Sequence, residues 1–310
     1  MTHTASSRIE PARLTAAVAL WGCCLLLAGC PPAPALDDHA RPPAVMPAYA
    51  QLAERYNRKI AGVHQVWAAT SVHLTWTDKG KEHSERGEGN LIVVLPDRTA
   101  FTFGKVGQTG LWAGCDSTRY WYFDFRDDGT AYVGRHDRAG ADGRNPMGVP
   151  IRPRDVPKLL GIIPLDPQAR GADGTPPAVR WDRDAYLVEC TDPDMHLRLW
   201  IDPQTDLARS IQLLDAHGKP TATAALSLPN PLPTNGVPEA EWPWINTTLD
   251  VQLADDGGAL HVHLNSASDG LYGGENKIKP VQFDSDRLVR IHHPARVIDL
   301  DRQAPADAGK

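Results

Sequence analysis

The chain has 310 residues, 42% of them apolar and 23% charged, with 27 prolines, 26 glycines and a formal net charge of −6. That composition suits one large folded domain or two small ones and excludes a collagen-like or wholly disordered chain. Acidic residues (38) outnumber basic ones (32) and no five like charges run together, so nucleic acid is excluded as a partner.

At the N-terminus, Arg8 and Arg13 precede an apolar stretch from Leu14 to Leu27, followed by Ala28, Gly29 and Cys30. A basic start, a short hydrophobic stretch and small residues at its end read as an export signal, too short and wrongly flanked for a stable membrane span. Leu26-Leu27-Ala28-Gly29-Cys30 resembles the bacterial lipobox, in which cleavage falls before the cysteine and the thiol carries a diacylglycerol. The resemblance implies a signal peptide over residues 1–29 and a lipidated Cys30. It also implies a lipid-anchored protein of the bacterial cell envelope that faces the periplasm. Pro31 favours neither the inner nor the outer membrane. Residues 30–47 hold six prolines and read as an extended tether. Once the signal is removed and Cys30 is acylated, Cys115 and Cys190 remain. In an oxidising compartment they can form one disulfide, the alternative being two buried thiols.

Tyr49, Leu52, Ala53, Tyr56 and Ile60 recur at helical spacing, which predicts an amphipathic helix starting near Pro47. The period then changes to two. Val66, Ala68, Val72, Leu74 and Trp76 alternate with Trp67, Ser71, His73 and Thr75, and a long strand is expected. Further strands follow from Glu85 to Leu95, around Phe101 and Phe103, at Leu111-Trp112, from Arg119 to Phe125 and at Ala131 to Val133. Residues 135–177 interrupt this meander with Gly- and Pro-rich loops around a short helix at Val156 to Leu160, the pattern of a lid or insertion. Strands resume at Ala185, Met195, Leu207, Thr221, Ile245 and Leu260. No 20- to 50-residue period repeats, which argues against a propeller or solenoid. The expected fold is mainly β, an unclosed antiparallel barrel of about ten or eleven strands. It occupies residues 48–302, and residues 303–310 form a disordered tail.

Three segments together resemble the LolA/LolB lipoprotein-carrier family. The first is the helix from Leu52 to Ile60 running into the strand that ends at Trp76. The second is the glycine-rich entry Gly87-Glu88-Gly89-Asn90 to a strand closing at Leu95-Pro96, followed by the Cys115-Asp116-Ser117 turn into an aromatic strand. The third is the close of the chain, Ile278 to Phe283 and Pro294 to Leu300, which resembles that family's terminal strand and tail. The resemblance implies an unclosed barrel whose open side is covered by the N-terminal helix and a short helical lid, around an apolar cavity. The implied partner is an acylated lipoprotein or a lipid, with the membrane reached through the N-terminal anchor, and the protein is expected to be a monomer. Two departures stand out. Leu95 occupies the position where the soluble carrier has an arginine that latches its lid, and the chain is longer than a minimal carrier.

Candidate cavity residues are Tyr56, Ile60, Trp76, Phe101, Phe103, Trp112, Trp121 and Phe123, with Trp67 in the same aromatic set; the plainer role for each is packing of the sheet. His261 and His263 share one strand face, a metal-binding geometry, yet no third ligand has a recognisable spacing and no metal is expected. His292 and His293 would point to opposite faces of a strand. No nucleophile elbow, His-Glu-x-x-His motif or phosphate loop occurs, so neither an enzyme nor a cofactor is expected. The alternative function is an envelope interaction or sensor lipoprotein that keeps the fold around a filled core.

Overall fold

The computed structural model describes residues 42–302, apart from 79, 106, 127–128, 139–150, 172, 193–194 and 255–256. The signal segment, Cys30, the tether up to residue 41 and the tail from 303 lie outside the described residues.

Three helices are described: α1 (Tyr49–Ile60), α2 (Val156–Leu159) and α3 (Ser285–His292). The N-terminal strands are β1 (Gln65–Asp78), β2 (Lys81–Val94), β3 (Arg98–Lys105), β4 (Gln108–Cys115), β5 (Arg119–Asp124) and β6 (Thr130–Arg135). After the lid come β7 (Val179–Asp182), β8 (Ala185–Asp192), β9 (Met195–Ile201), β10 (Ala208–Leu214), β11 (Pro220–Pro231), β12 (Trp244–Leu253), β13 (Ala259–Ser268) and β14 (Arg296–Asp299). All fourteen form one sheet in the order β14-β6-β5-β4-β3-β2-β1-β13-β12-β11-β10-β9-β8-β7. Among the described strands only β14 runs parallel to its neighbour, β6. The two end strands do not pair with each other, so the barrel is unclosed. Pairing of β1 with β13 joins the two halves of the chain side by side, Val72 lying opposite Val262.

Period-two alternation puts Val66, Ala68 and Val72 of β1, Leu91 and Val93 of β2 and Val262 of β13 on one face. Helix α1 packs Leu52, Ala53, Tyr56 and Ile60 into this concave face. Full burial of each large apolar side chain contributes about 1.5–3 kcal/mol, enough to hold a twelve-residue helix that is marginal alone. Ala48 offers no side-chain cap, and Gln51 Oε1 instead accepts the Ala48 backbone N–H at 3.3 Å.

The convex face differs between the two halves. Over β8 to β11 it is polar, with Arg198 bonded to Glu189 and Gln212, and Gln212 to Thr223. Over β2 to β6 it carries a second core of Ile92, Ala100, Trp121, Phe123 and Ala131 beneath Ile278, Phe283 and Leu288. The cover is a 3-10 turn, Pro280–Phe283, followed by α3. Asp284 accepts the Arg287 backbone N–H at 2.9 Å to start α3, and His293 ends it in the left-handed region at φ 45°. Among the described residues no helix is long and apolar enough to cross a membrane.

Two expectations change. The sheet has fourteen strands rather than ten or eleven, including the four-residue edge strands β7 and β14. The closing segment is not one terminal strand followed by a tail, because Asp284 and the apolar face of Leu288 and Val289 place a helix ahead of β14. His292 and His293 accordingly sit in the end of that helix and its cap rather than on a strand.

Candidate functional site

Between the concave face and residues 151–160 lies a partly open cavity of about 170 Å³. The lid begins with a 3-10 turn, Pro153–Asp155, which lies over β3 and β4, and continues as α2, which packs on β10. Ile151, Pro153, Val156, Leu159 and Leu160 form the roof. The floor is built by alternation: Val72 and Leu74 of β1, Phe101 and Phe103 of β3, and Leu111 and Ala113 of β4 all point the same way. Leu249, Val251 and Leu253 of β12, with Leu260 and Val262 of β13, make the other wall. Among the described residues no lining side chain is charged, and only Thr99 and Tyr122 carry a side-chain polar atom. A Cβ at Gly87 would stand 2.6 Å from the Phe103 ring, so the glycine-rich entry to β2 is what lets that ring lie over the strand.

Helix α1 holds the downstream end of the lid. The Tyr56 hydroxyl donates to the Gly161 carbonyl at 2.6 Å, and Asn57 exchanges two hydrogen bonds with the Leu165 backbone at 2.7 and 2.9 Å. Burial pushes the Tyr56 phenol far above its ordinary range, so it stays a donor at any physiological pH. Gly161 ends α2 at φ 67°, where a Cβ would come within 2.8 Å of the Ala208 Cβ; only glycine combines that turn with that approach. Arg55 adds an ion pair with Asp206 at 3.2 Å. Within the lid, Lys158 pairs with Asp155 at 3.0 Å.

Of the eight residues expected at the cavity, the structure brings Phe101 and Phe103 to its wall. Tyr56 and Ile60 are buried on α1 in the adjoining core, outside the lining. Trp76 stacks on His83, ring centroids 5.3 Å apart, towards the hairpin end of β1. Trp112, Trp121 and Phe123 lie on the convex face in the second core, because their positions in β4 and β5 have the opposite parity to Ala113 and Tyr122. Trp67 is also convex, with Lys277 Nζ 3.9 Å from its ring centroid. Leu95 packs against the concave core. The disulfide is absent: Cys115 and Cys190 are buried thiols on strands separated by eight others in the sheet order. His261 and His263 face outward from β13, opposite in parity to the cavity residues Leu260 and Val262. The aliphatic wall of β12 and β13 lies outside the aromatic candidate set, although its alternation is readable in the sequence.

No family model and no curated protein matches this sequence. Among solved structures, a DUF1329 family protein from Desulfovibrio piger superposes with a TM-score of 0.50 at 11% identity, over 77% of this chain and 97% of that one. The shared fold is one large, unclosed, mainly antiparallel sheet. A domain named for outer-membrane lipoprotein sorting, from Vibrio parahaemolyticus, aligns with a TM-score of 0.49 at 11% identity, over 77% of this chain and 97% of that one. A LolA superfamily protein from Nitrosomonas europaea aligns at 0.42 and 9% identity, over 72% and 94% of the two chains. At such identities the likeness is one of architecture.

Proposed function

We propose that the chain is a lipid-anchored bacterial envelope protein, facing the periplasm, that shelters the acyl chain of a lipoprotein or lipid beneath its lid. It acts as a monomeric carrier rather than an enzyme, and binding in the cavity requires no covalent step, metal or cofactor. The observation that carries this reading is the uncharged cavity between the concave sheet and residues 151–160. Each methylene moved there from water contributes about 0.8 kcal/mol. The lipobox-like Cys30 and the proline-rich tether support the anchor and the location.

Size constrains the mechanism. An apolar cavity of roughly 150 Å³ takes a benzene-sized guest, so about 170 Å³ receives only the end of an acyl chain while the lid is down. A longer stretch enters when the Pro153–Asp155 turn lifts away from β3 and β4 and α2 from β10, with the bonds from Tyr56 and Asn57 holding the far end of the lid. The same volume favours a second reading, because ligand pockets usually span about 300–1,000 Å³. In that reading the protein is an anchored interaction or sensor module and the space is a packing gap. Native mass spectrometry of the Cys30→Ala chain recovered from a periplasm decides between them. The carrier yields an adduct of lipid mass that mild organic extraction removes and that added acylated peptide or phospholipid restores. A bare mass that no added lipid changes refutes the carrier.

A further inference from the structure

The convex face carries a second hollow, of about 380 Å³, on the side of the sheet away from the apolar cavity. Its shape follows from the register. Trp67, Ile92 and Ala100 stand side by side on β1, β2 and β3, and Asn90, Thr102 and Trp112 form the next cross-strand row on β2, β3 and β4. The two tryptophans thus occupy opposite corners, three strand spacings or about 14 Å apart across the sheet. Between them Ala100 and Thr102 are short, and the floor dips. The segment before the 3-10 turn walls one side and is held in place. Ile278 is anchored in the second core, the Lys277 backbone N–H donates to the Gly270 carbonyl at 2.8 Å, and Asn276 Oδ1 accepts the Ile278 N–H at 2.9 Å.

The rim is polar and uncommitted. Among the described residues the Asn90 side-chain amide, Asn276 Nδ2, the Glu275 carboxylate and Lys279 Nζ have no partner in the protein. The Thr102 hydroxyl accepts the Asn90 backbone N–H at 2.9 Å and keeps its own proton to donate. The Trp112 indole N–H is buried without an acceptor. A pyranose ring has an apolar C–H face edged by hydroxyls that both donate and accept, and an apolar floor inside a rim of amides and hydroxyls is its complement. We propose that this hollow binds a saccharide of one or two pyranose rings. Its volume falls in the range of about 300–1,000 Å³ usual for small-ligand pockets, which the cavity under the lid does not reach. Lys277 Nζ, 3.9 Å from the Trp67 ring centroid, covers that ring from one side, so Trp112 and the floor carry the C–H contact and Trp67 serves as a wall. A peptide finds no backbone partner here, because β1 to β4 are interior strands paired on both sides. An acyl chain would leave the rim groups it covered without partners.

The test is titration calorimetry of the purified full-length chain with N,N′-diacetylchitobiose and with cellobiose, using alanylalanine as control. Saturable binding of at least one disaccharide, and none of the dipeptide, is expected. Asn90→Ala and Trp112→Phe should each weaken binding about three- to tenfold, the loss of one hydrogen bond. Saturation-transfer NMR on the unaltered chain supplies a second readout, with transfer strongest to the ring C–H protons. The assignment is overturned if neither disaccharide binds saturably to the unaltered chain, if both substitutions leave the affinity unchanged, or if the dipeptide binds in their place. Titration of the unaltered chain tests the site even where a variant fails to fold.

Discussion

Filling the cavity separates a ligand site from a packing gap by the sign of its effect. Ala113 of β4 lines the cavity between Phe101 and Tyr122, its register partners on β3 and β5. Ala113→Leu adds three carbons directed at the open space. At about 0.8 kcal/mol for each carbon buried, stabilisation has an upper limit near 2.4 kcal/mol, and a partly compact denatured state lowers it to about 1–2 kcal/mol. The same carbons occupy the space that an acyl chain would use. Urea unfolding at neutral pH measures the first effect, and displacement of a fluorescent fatty-acid analogue measures the second. The expected variant is at least as stable as the parent and binds the probe much more weakly. A loss of 1–3 kcal/mol, as overpacking produces, together with unchanged probe binding would refute the argument, because it would mean that the site is already full.

Tyr56→Phe removes the donor to the buried Gly161 carbonyl and should cost about 1–3 kcal/mol in urea unfolding; a loss below about 0.5 kcal/mol would show that the lid does not depend on this bond. His292 lies among Trp112, Phe123 and Phe125, and burial holds its imidazole below the usual 6.5. The unfolded chain therefore takes up this proton at a higher pH than the folded one, so stability falls with pH from 6.5 downward. His292→Phe should flatten that fall, and parallel stability curves for parent and variant would exclude the residue as a source of acid lability. Burial pushes the Cys115 thiol up to about 12, and Cys190 is buried as well. Iodoacetamide at neutral pH should label neither in the native protein and both in urea without a reductant; a requirement for reductant would reveal a disulfide.

Elements with one buried face were legible in the sequence, and those with two were not. Helix α1 shows a single apolar stripe and ends at Ile60 as its spacing predicts. In β13 the leucines and histidines alternate cleanly because one side meets the cavity and the other meets water. Strand β5 defeats the same reasoning. Trp121 and Phe123 are buried under the C-terminal cover while Tyr122 is buried towards the cavity, so the run of aromatics carries no parity. Ring size therefore points to the wrong side of the sheet.

The parallel strand β14 has a consequence for how the chain avoids its own kind. By pairing Arg296 to Asp299 with Thr130 to Val133, it occupies the backbone donors and acceptors of β6 that would otherwise end the sheet. The opposite end is left to β7, four residues long and carrying Arg180, too short to template a second chain. Truncation before Arg296 would uncover the six-residue β6 beside aromatic β5, turning a guarded margin into a surface on which another copy could add strands.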